Sequence, residues 1–409
     1  MKQSALTVLT AQLLDGYRPG AAFFLSTPNQ TLLAEGTFME LTEADGACDL
    51  QQLSGSVSDL LGRAARMNHS SPMVVGAIPF DRAKPAKLVV PTTVLWGGPL
   101  QFSSDTETRR PAESNSLPTY RITPVPRPEQ YAQGVQQAID RLRSGEMSKV
   151  VLSRALDLTS TNITIPIGQL LHSLARHNSH GYTFAVDLPK DHGGQGHSSS
   201  QNVLIGASPE LLVRKTGNRV ISNPLAGSAP RSKDPVEDRR IGEALLSSVK
   251  DLHEHAVVIE AVAEALRPFC RSLDVPNLPS LIQTETMWHL STVVQGELLD
   301  PSISSLALAA ALHPTPAVCG TPMELAREAI GQIEPYDRGF YTGMVGWSDA
   351  AGNGEWIVTI RCAEVYEHSL RLYAGAGIVS DSTPEGELAE TSAKFRTMLN
   401  ALGLHHNQL

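Results

Sequence analysis

Apolar and polar positions change period repeatedly along the chain. Residues 182–188 and 203–205 are apolar runs of strand length, and the polar stretch 191–202 between them predicts a hairpin with a long loop. Its His192 and His197 read as solvated loop residues. Over residues 237–268, Ile241, Leu245, Val249, Leu252, Ala256, Ile259, Ala263 and Leu266 recur at steps of three or four, which predicts one long amphipathic helix ended by Pro268. Residues 384–402 repeat the design, with Leu388, Phe395, Leu399 and Leu402 as the stripe, Pro384 near the start and Gly403 after the end. Residues 21–25 and 73–80 read as strands. Residues 101–129 are rich in Ser, Pro and charge with almost no periodicity, so they separate an N-terminal segment from the rest. Helical and strand patterns alternate from Pro128 to Leu404 without a further linker or a fixed repeat. This predicts a single large α+β body, with residues 1–120 packed as a segment on a catalytic domain of residues 121–409.

The two helical patterns carry acidic residues away from the wet side. At about 100° per residue, Asp251 and Glu254 share a small, semi-apolar sector with Ala244, Val258 and Ala261, while His253, Glu260 and Glu264 take the solvent side. Glu387, Glu390 and Lys394 share one face of the last helix. Two carboxylate pairs on separate helices could close around one hard cation such as Mg²⁺, which takes carboxylate oxygens and keeps several waters. On spacing alone such pairs are as a rule solvated faces.

Composition narrows the function classes. The chain has 409 residues, 42 acidic against 33 basic, a net charge of -9, 41% apolar and 18% charged residues, which fits a globular protein and excludes disorder or a coiled coil. The longest apolar run, residues 306–312, is too short to span a bilayer, and the N-terminus has no cleavage signal, so a cytoplasmic protein is expected. An acidic balance without Lys/Arg runs argues against nucleic acid as a partner. Cys48, Cys270, Cys319 and Cys362 stand far apart and read as small core residues.

Seven segments then carry a resemblance: SKVVLSRAL from Ser148, GASPELLVRK from Gly206, NPLAGSAPR from Asn223, KDLHEH from Lys250, LHPTPAVCGTP from Leu312, TIRCAEV from Thr359 and AGAGIVSDSTPEGELAETSAK from Ala374. In this order and spacing the chain resembles the chorismate-utilising enzymes, which include isochorismate synthases, salicylate synthases and the synthase subunits of anthranilate and aminodeoxychorismate formation. The resemblance implies an anthranilate synthase component I-like fold, with β-sheets in a sandwich flanked by helices. It also favours the metal reading.

Family members that add water resemble this chain in having Lys at position 149, whereas those that add ammonia typically have Gln. A lysine partly desolvated near positive charge can act as a general base toward water, and Gln cannot. The resemblance makes Glu210 the general acid that protonates the leaving ring hydroxyl, for which an apolar pocket must raise its pKa. It makes Glu254 and Glu390 direct Mg²⁺ ligands, with Asp251 and Glu387 beside them. Arg361 takes the role of a planar clamp on the enolpyruvyl carboxylate, and Lys394 that of a further substrate contact. Gly227, Ser228 and Gly375 fall at substrate-binding positions, although Gly375 and Gly377 could equally be structural turn residues. His313, Thr315 and Ala317 are expected to line the pocket, with a core histidine as the alternative for His313.

The resulting expectation is a Mg²⁺-dependent isochorismate synthase, most similar to those of siderophore pathways, acting on chorismate. Water adds at C2 and the C4 hydroxyl leaves. The alternative is a salicylate synthase, which goes on to eliminate pyruvate. A binding protein that has lost its chemistry is disfavoured because Lys149, Glu210, Glu254, Glu390 and Arg361 are all present. The family implies a monomer, with an enzyme of the downstream pathway as candidate partner; the residues do not choose between siderophore, salicylate and menaquinone routes.

Overall fold

The computed structural model describes residues 10–20, 22–45, 50–102, 119–178, 180–188 and 202–404. Among them, two large antiparallel sheets stack face to face. One has ten strands, in the order Gly320–Thr321, Lys149–Ser160, Ser369–Ile378, Cys362–Val365, Val203–Ser208, Tyr182–Asp187, Ala22–Ser26, Thr31–Glu35 and Thr93–Gly97, with Tyr120–Val125 also paired to Lys149–Ser160. The other has nine: Cys270–Asp274, Val294–Leu298, Arg219–Asn223, Leu211–Thr216, Gly354–Val358, Met344–Asp349, Met73–Ile78, Lys87–Val90 and Met39–Glu40. A smaller sheet joins Leu225–Pro230, Met287–Ser291 and Ser280–Gln283.

Strand alternation explains the layering. Phe23, Leu25, Val75, Ala77, Val345 and Ile357 point inward and form the core between the sheets. Their neighbours Phe24 and Val74 face outward, where each sheet is covered by helices, so successive residues bury opposite sides. The α+β sandwich expected from the sequence is therefore present.

The predicted hairpin pairs Val203 with Asp187 and Ser208 with Tyr182, while His192 and His197 fall outside the described residues. Residues 101–129 are not wholly irregular, because Tyr120–Val125 forms a strand and Pro128 begins the helix Pro128–Arg143. The strands of the first hundred residues are woven into both large sheets. Cys319 and Cys362 are buried and Cys270 is half-buried; Cys48 lies outside the described residues.

The single helix predicted over 237–268 is two, Pro235–Leu246 and Val249–Leu266. Ser247 ends the first, and Ser248 caps the second by accepting a hydrogen bond from the Asp251 N–H, the type of local side-chain bond that competes with a continuous helix. The break resets the phase. Val249 and Ala256, expected in the apolar stripe, are exposed, while Glu254 and His255 join Val258, Ile259 and Val262 on the buried face. The C-terminal helix runs Pro384–Ala401 as expected, with Thr383 as its N-cap and Gly403 in the left-handed region.

Candidate active site

Two chain crossings between the sheets build the site. Pro209 and Glu210 carry the chain from Val203–Ser208 in the ten-stranded sheet to Leu211–Thr216 in the nine-stranded one. In the reverse direction, Gly354–Val358 leads to Cys362–Val365 through Arg361. The crossings are neighbours: the Val358 N–H donates to the Glu210 carbonyl at 3.2 Å, and the Ala207 N–H donates to the Arg361 carbonyl at 3.0 Å. These bonds satisfy backbone that has left its ladder. Arg361 holds φ at 51°, an uncommon conformation for a residue with a side chain.

A cavity opens at these crossings. Of the residues named from the sequence, Glu210, Gly227, Ser228, Glu254, Ala317, Arg361, Gly375, Glu390 and Lys394 line it. Glu210 is 2% exposed. Burial pushes its carboxyl up to about 7, although the Leu225 backbone, Lys149, Arg361 and Lys394 each pull it down. A carboxyl that still holds a proton near neutral pH can donate it.

Lys149, fully buried at the start of Lys149–Ser160, stands just behind the cavity surface. Its Nζ is 2.9 Å from Glu254 Oε1, out of line for a hydrogen bond. Both groups press on Gly377, where a Cβ would sit 2.1 Å from Glu254 Oε1 and 2.9 Å from Lys149 Cε, so only glycine leaves room. Gly227, at φ 79°, is needed for conformation as well, and its Cβ would meet Asp251. At Gly375 a Cβ would meet the Tyr341 hydroxyl.

Two helices supply the carboxylates. Glu390 Oε1 accepts from Ser228 Oγ at 2.9 Å and lies 2.6 Å from Lys394 Nζ, which also donates to the Gly375 carbonyl at 2.9 Å. Burial acts to raise Glu390, but Lys394, Lys250 and Ser228 together hold it below the usual range. Glu387 is raised by burial and by repulsion from Glu390, despite an ion pair to Lys250 at 2.7 Å. Its second oxygen is buried, and the Ser382 hydroxyl lies beside the carboxylate. Asp251 is raised by burial and accepts from Ser248 Oγ at 2.5 Å. Asp251 and Glu387 are not part of the cavity wall; they stand behind Gly227 and Glu390.

Among the described residues no three His, Cys, Asp or Glu groups converge closely enough to hold a metal. Mg²⁺ requires less, since one or two carboxylates with waters and a substrate oxygen complete its shell. The donor chemistry fits, because every candidate is a carboxylate and Glu254 and Glu390 both line the cavity.

His313 and Thr315 are not in the cavity wall. His313 is buried against Phe80, with Nε2 3.3 Å from the Phe80 carbonyl, and burial pushes it down to about 4, the behaviour of a neutral core histidine. His289, Tyr341 and Tyr373, which have no role in the sequence reading, also line the cavity. His289 sits opposite Ser228 across two strands, and burial, reinforced by Arg361 and Lys394, holds it well below the usual range. Its Nε2 is 3.5 Å from Arg361 Nη2, so the neutral ring accepts from the guanidinium. Tyr341 and Tyr373 stack with ring centroids 4.8 Å apart. The alternation of residues 287–291 was the available signal for His289, because it aligns His289 with Met287 and Ser291 on one face.

The chorismate binding enzyme family matches residues 95–403 of the chain. The isochorismate synthase DhbC of Bacillus subtilis is 59% identical over 407 residues, covering 99% of this chain and all of the relative. The DhbC crystal structure from Bacillus anthracis, assigned as a 2,3-dihydroxybenzoate-specific isochorismate synthase, superposes with a TM-score of 0.90 at 55% identity, covering 97% of this chain and all of that one. Anthranilate synthase component I of Streptococcus pneumoniae superposes with a TM-score of 0.67 at 22% identity, over 90% of this chain and 92% of its own, which is a likeness of fold. By the span of the family match and by these identities, the chain belongs to the chorismate-binding enzyme family.

Proposed function

We infer that the protein is an isochorismate synthase, converting chorismate to isochorismate by adding water at C2 and releasing the C4 hydroxyl as water. The observation that carries the reading is Glu210, a fully buried carboxyl that keeps its proton near neutral pH inside a cavity shared with Arg361 and Lys394. The 59% identity to an isochorismate synthase across nearly the whole chain supports it.

Arg361, oriented by His289, grips a carboxylate of the substrate, and Lys394, fixed by Glu390 and the Gly375 carbonyl, adds a second positive contact. Glu210 gives its proton to the C4 oxygen as the C–O bond breaks. Lys149 takes the proton from the water that attacks C2, so the proton count closes and no net water is consumed. The stacked Tyr341 and Tyr373 form a flat wall that helps to exclude other water. Glu254 and Glu390 would hold Mg²⁺, with Asp251 and Glu387 behind them, and the ion supplies Lewis-acid binding of the ring carboxylate.

All of these residues follow position 121, which supports residues 121–409 as the catalytic part, with residues 1–120 supplying outer strands to both sheets. No described helix is long and apolar enough to cross a membrane.

The test is incubation with chorismate and Mg²⁺ followed by product identification. Isochorismate accumulating without pyruvate supports the reading. Early release of pyruvate or salicylate shows that the chain goes on to the elimination, and amination in the presence of ammonium removes water as the nucleophile.

A further inference from the structure

Each of three carboxylates in the cradle is matched by its own lysine: Glu254 by Lys149, Glu390 by Lys394 and Glu387 by Lys250. The three lysines are not equivalent. Lys149 is buried on a strand, and Lys394 is 12% exposed and anchored to the Gly375 carbonyl. Lys250 lies in the first turn of Val249–Leu266, its side chain is 30% exposed, and it reaches across to the other carboxylate-bearing helix with Glu387 as its hydrogen-bond acceptor.

We propose that Lys250 is a displaceable counter-ion of the cradle, which holds the two helices together without metal and must release Glu387 when a divalent cation enters. This rests on the Mg²⁺ reading above and assigns Lys250 a positioning role in it. The four carboxylates repel one another, and Glu390 acts on Glu387 in that sense. The ammonium on Glu387 Oε1 offsets this. A dication held by Glu254 and Glu390 would sit close to the ammonium that Glu387 accepts from, and two cations repel at short range. A four-carbon stem that already touches solvent lets Lys250 swing clear. Lys149, fully buried, and Lys394, anchored to the Gly375 carbonyl, have no such freedom.

The experiment is calorimetric titration of the full chain with Mg²⁺ alone, without chorismate, comparing wild type with Lys250→Met and Lys250→Arg. Methionine keeps the stem and removes the charge at an accessible position, and a thermal melt without metal monitors folding. The expected result for Lys250→Met is Mg²⁺ binding tighter by about tenfold, a lower metal-free melting temperature, and a larger rise of that temperature on adding Mg²⁺. Lys250→Arg, which retains the charge, should stay near wild type. Equal or weaker Mg²⁺ binding by Lys250→Met overturns the counter-ion role while leaving the cofactor reading intact. Absence of Mg²⁺ binding by every one of the three proteins overturns both.

Discussion

Replacing Glu210 by Gln tests the proton donor and its energetic cost together. In the folded chain the carboxyl is fully buried and titrates at about 7 instead of 4.5, so ionising it inside the cavity costs about 3 kcal/mol. Because the folded pKa is raised, wild-type stability is at its full value below pH ~4.5 and falls by this amount as pH rises through about 7. Glutamine has the same shape and does not ionise. The stability of Glu210→Gln relative to wild type should therefore grow by about 3 kcal/mol between pH ~4.5 and pH ~9, which for a chain of this size is roughly 3 to 4 °C in melting temperature. The assay is thermal unfolding of both proteins, free of metal and substrate, at several pH values. The pH dependence of the difference is the quantity to read, since any fixed offset reflects altered hydrogen bonds. Over the same range wild-type kcat/KM should decline above pH ~7 as the donor loses its proton, while the variant is nearly inactive throughout. A stability difference that stays constant with pH would show that Glu210 does not titrate near neutrality, and the argument for it as the acid would fail.

Lys149→Gln should lower kcat by roughly 10² to 10⁴ while chorismate binding survives, measured by turnover and by equilibrium titration; unchanged turnover removes Lys149 from the reaction. Arg361→Lys keeps the charge but loses the planar fork and its contact with His289, so KM should rise by roughly tenfold to a hundredfold, more than kcat falls. Gly377→Ala should push Glu254 off Lys149, costing about 1 to 3 kcal/mol of stability and most of the activity, and a normal melting temperature with normal turnover would contradict the close packing.

Periodicity made the acidic faces legible. The helical wheel separates Glu254 from His253, Glu260 and Glu264, which are exposed in the structure, and the C-terminal helix has the expected ends. The break at Ser247 and Ser248 was not legible, because the apolar spacing is compatible with a continuous helix and the deciding hydrogen bond is a local cap. The strand Tyr120–Val125 was hidden in a polar segment, since its place is set by pairing with Lys149–Ser160 and not by its own burial pattern. The same non-local pairing explains why the first hundred residues read as a separate segment although their strands belong to both sheets. At the site, the motifs supplied Glu210 and Arg361 but not the reason they meet. Two crossings between sheets bring them to one cavity, and no spacing in the sequence encodes that. His313 illustrates the converse, a motif residue that the fold uses to pack beneath Phe80.

In the proposed reaction solvent water, deprotonated by Lys149 and matched by proton donation from Glu210, becomes the C2 hydroxyl of the product. This is tested most directly by turnover of chorismate in H₂¹⁸O, stopped early and analysed by mass spectrometry with the label positioned by fragmentation or NMR. The expected product is isochorismate carrying solvent oxygen at C2. Product with unlabelled oxygen at C2 would mean that the original hydroxyl migrates within the substrate, and the acid and base roles assigned to Glu210 and Lys149 would not stand.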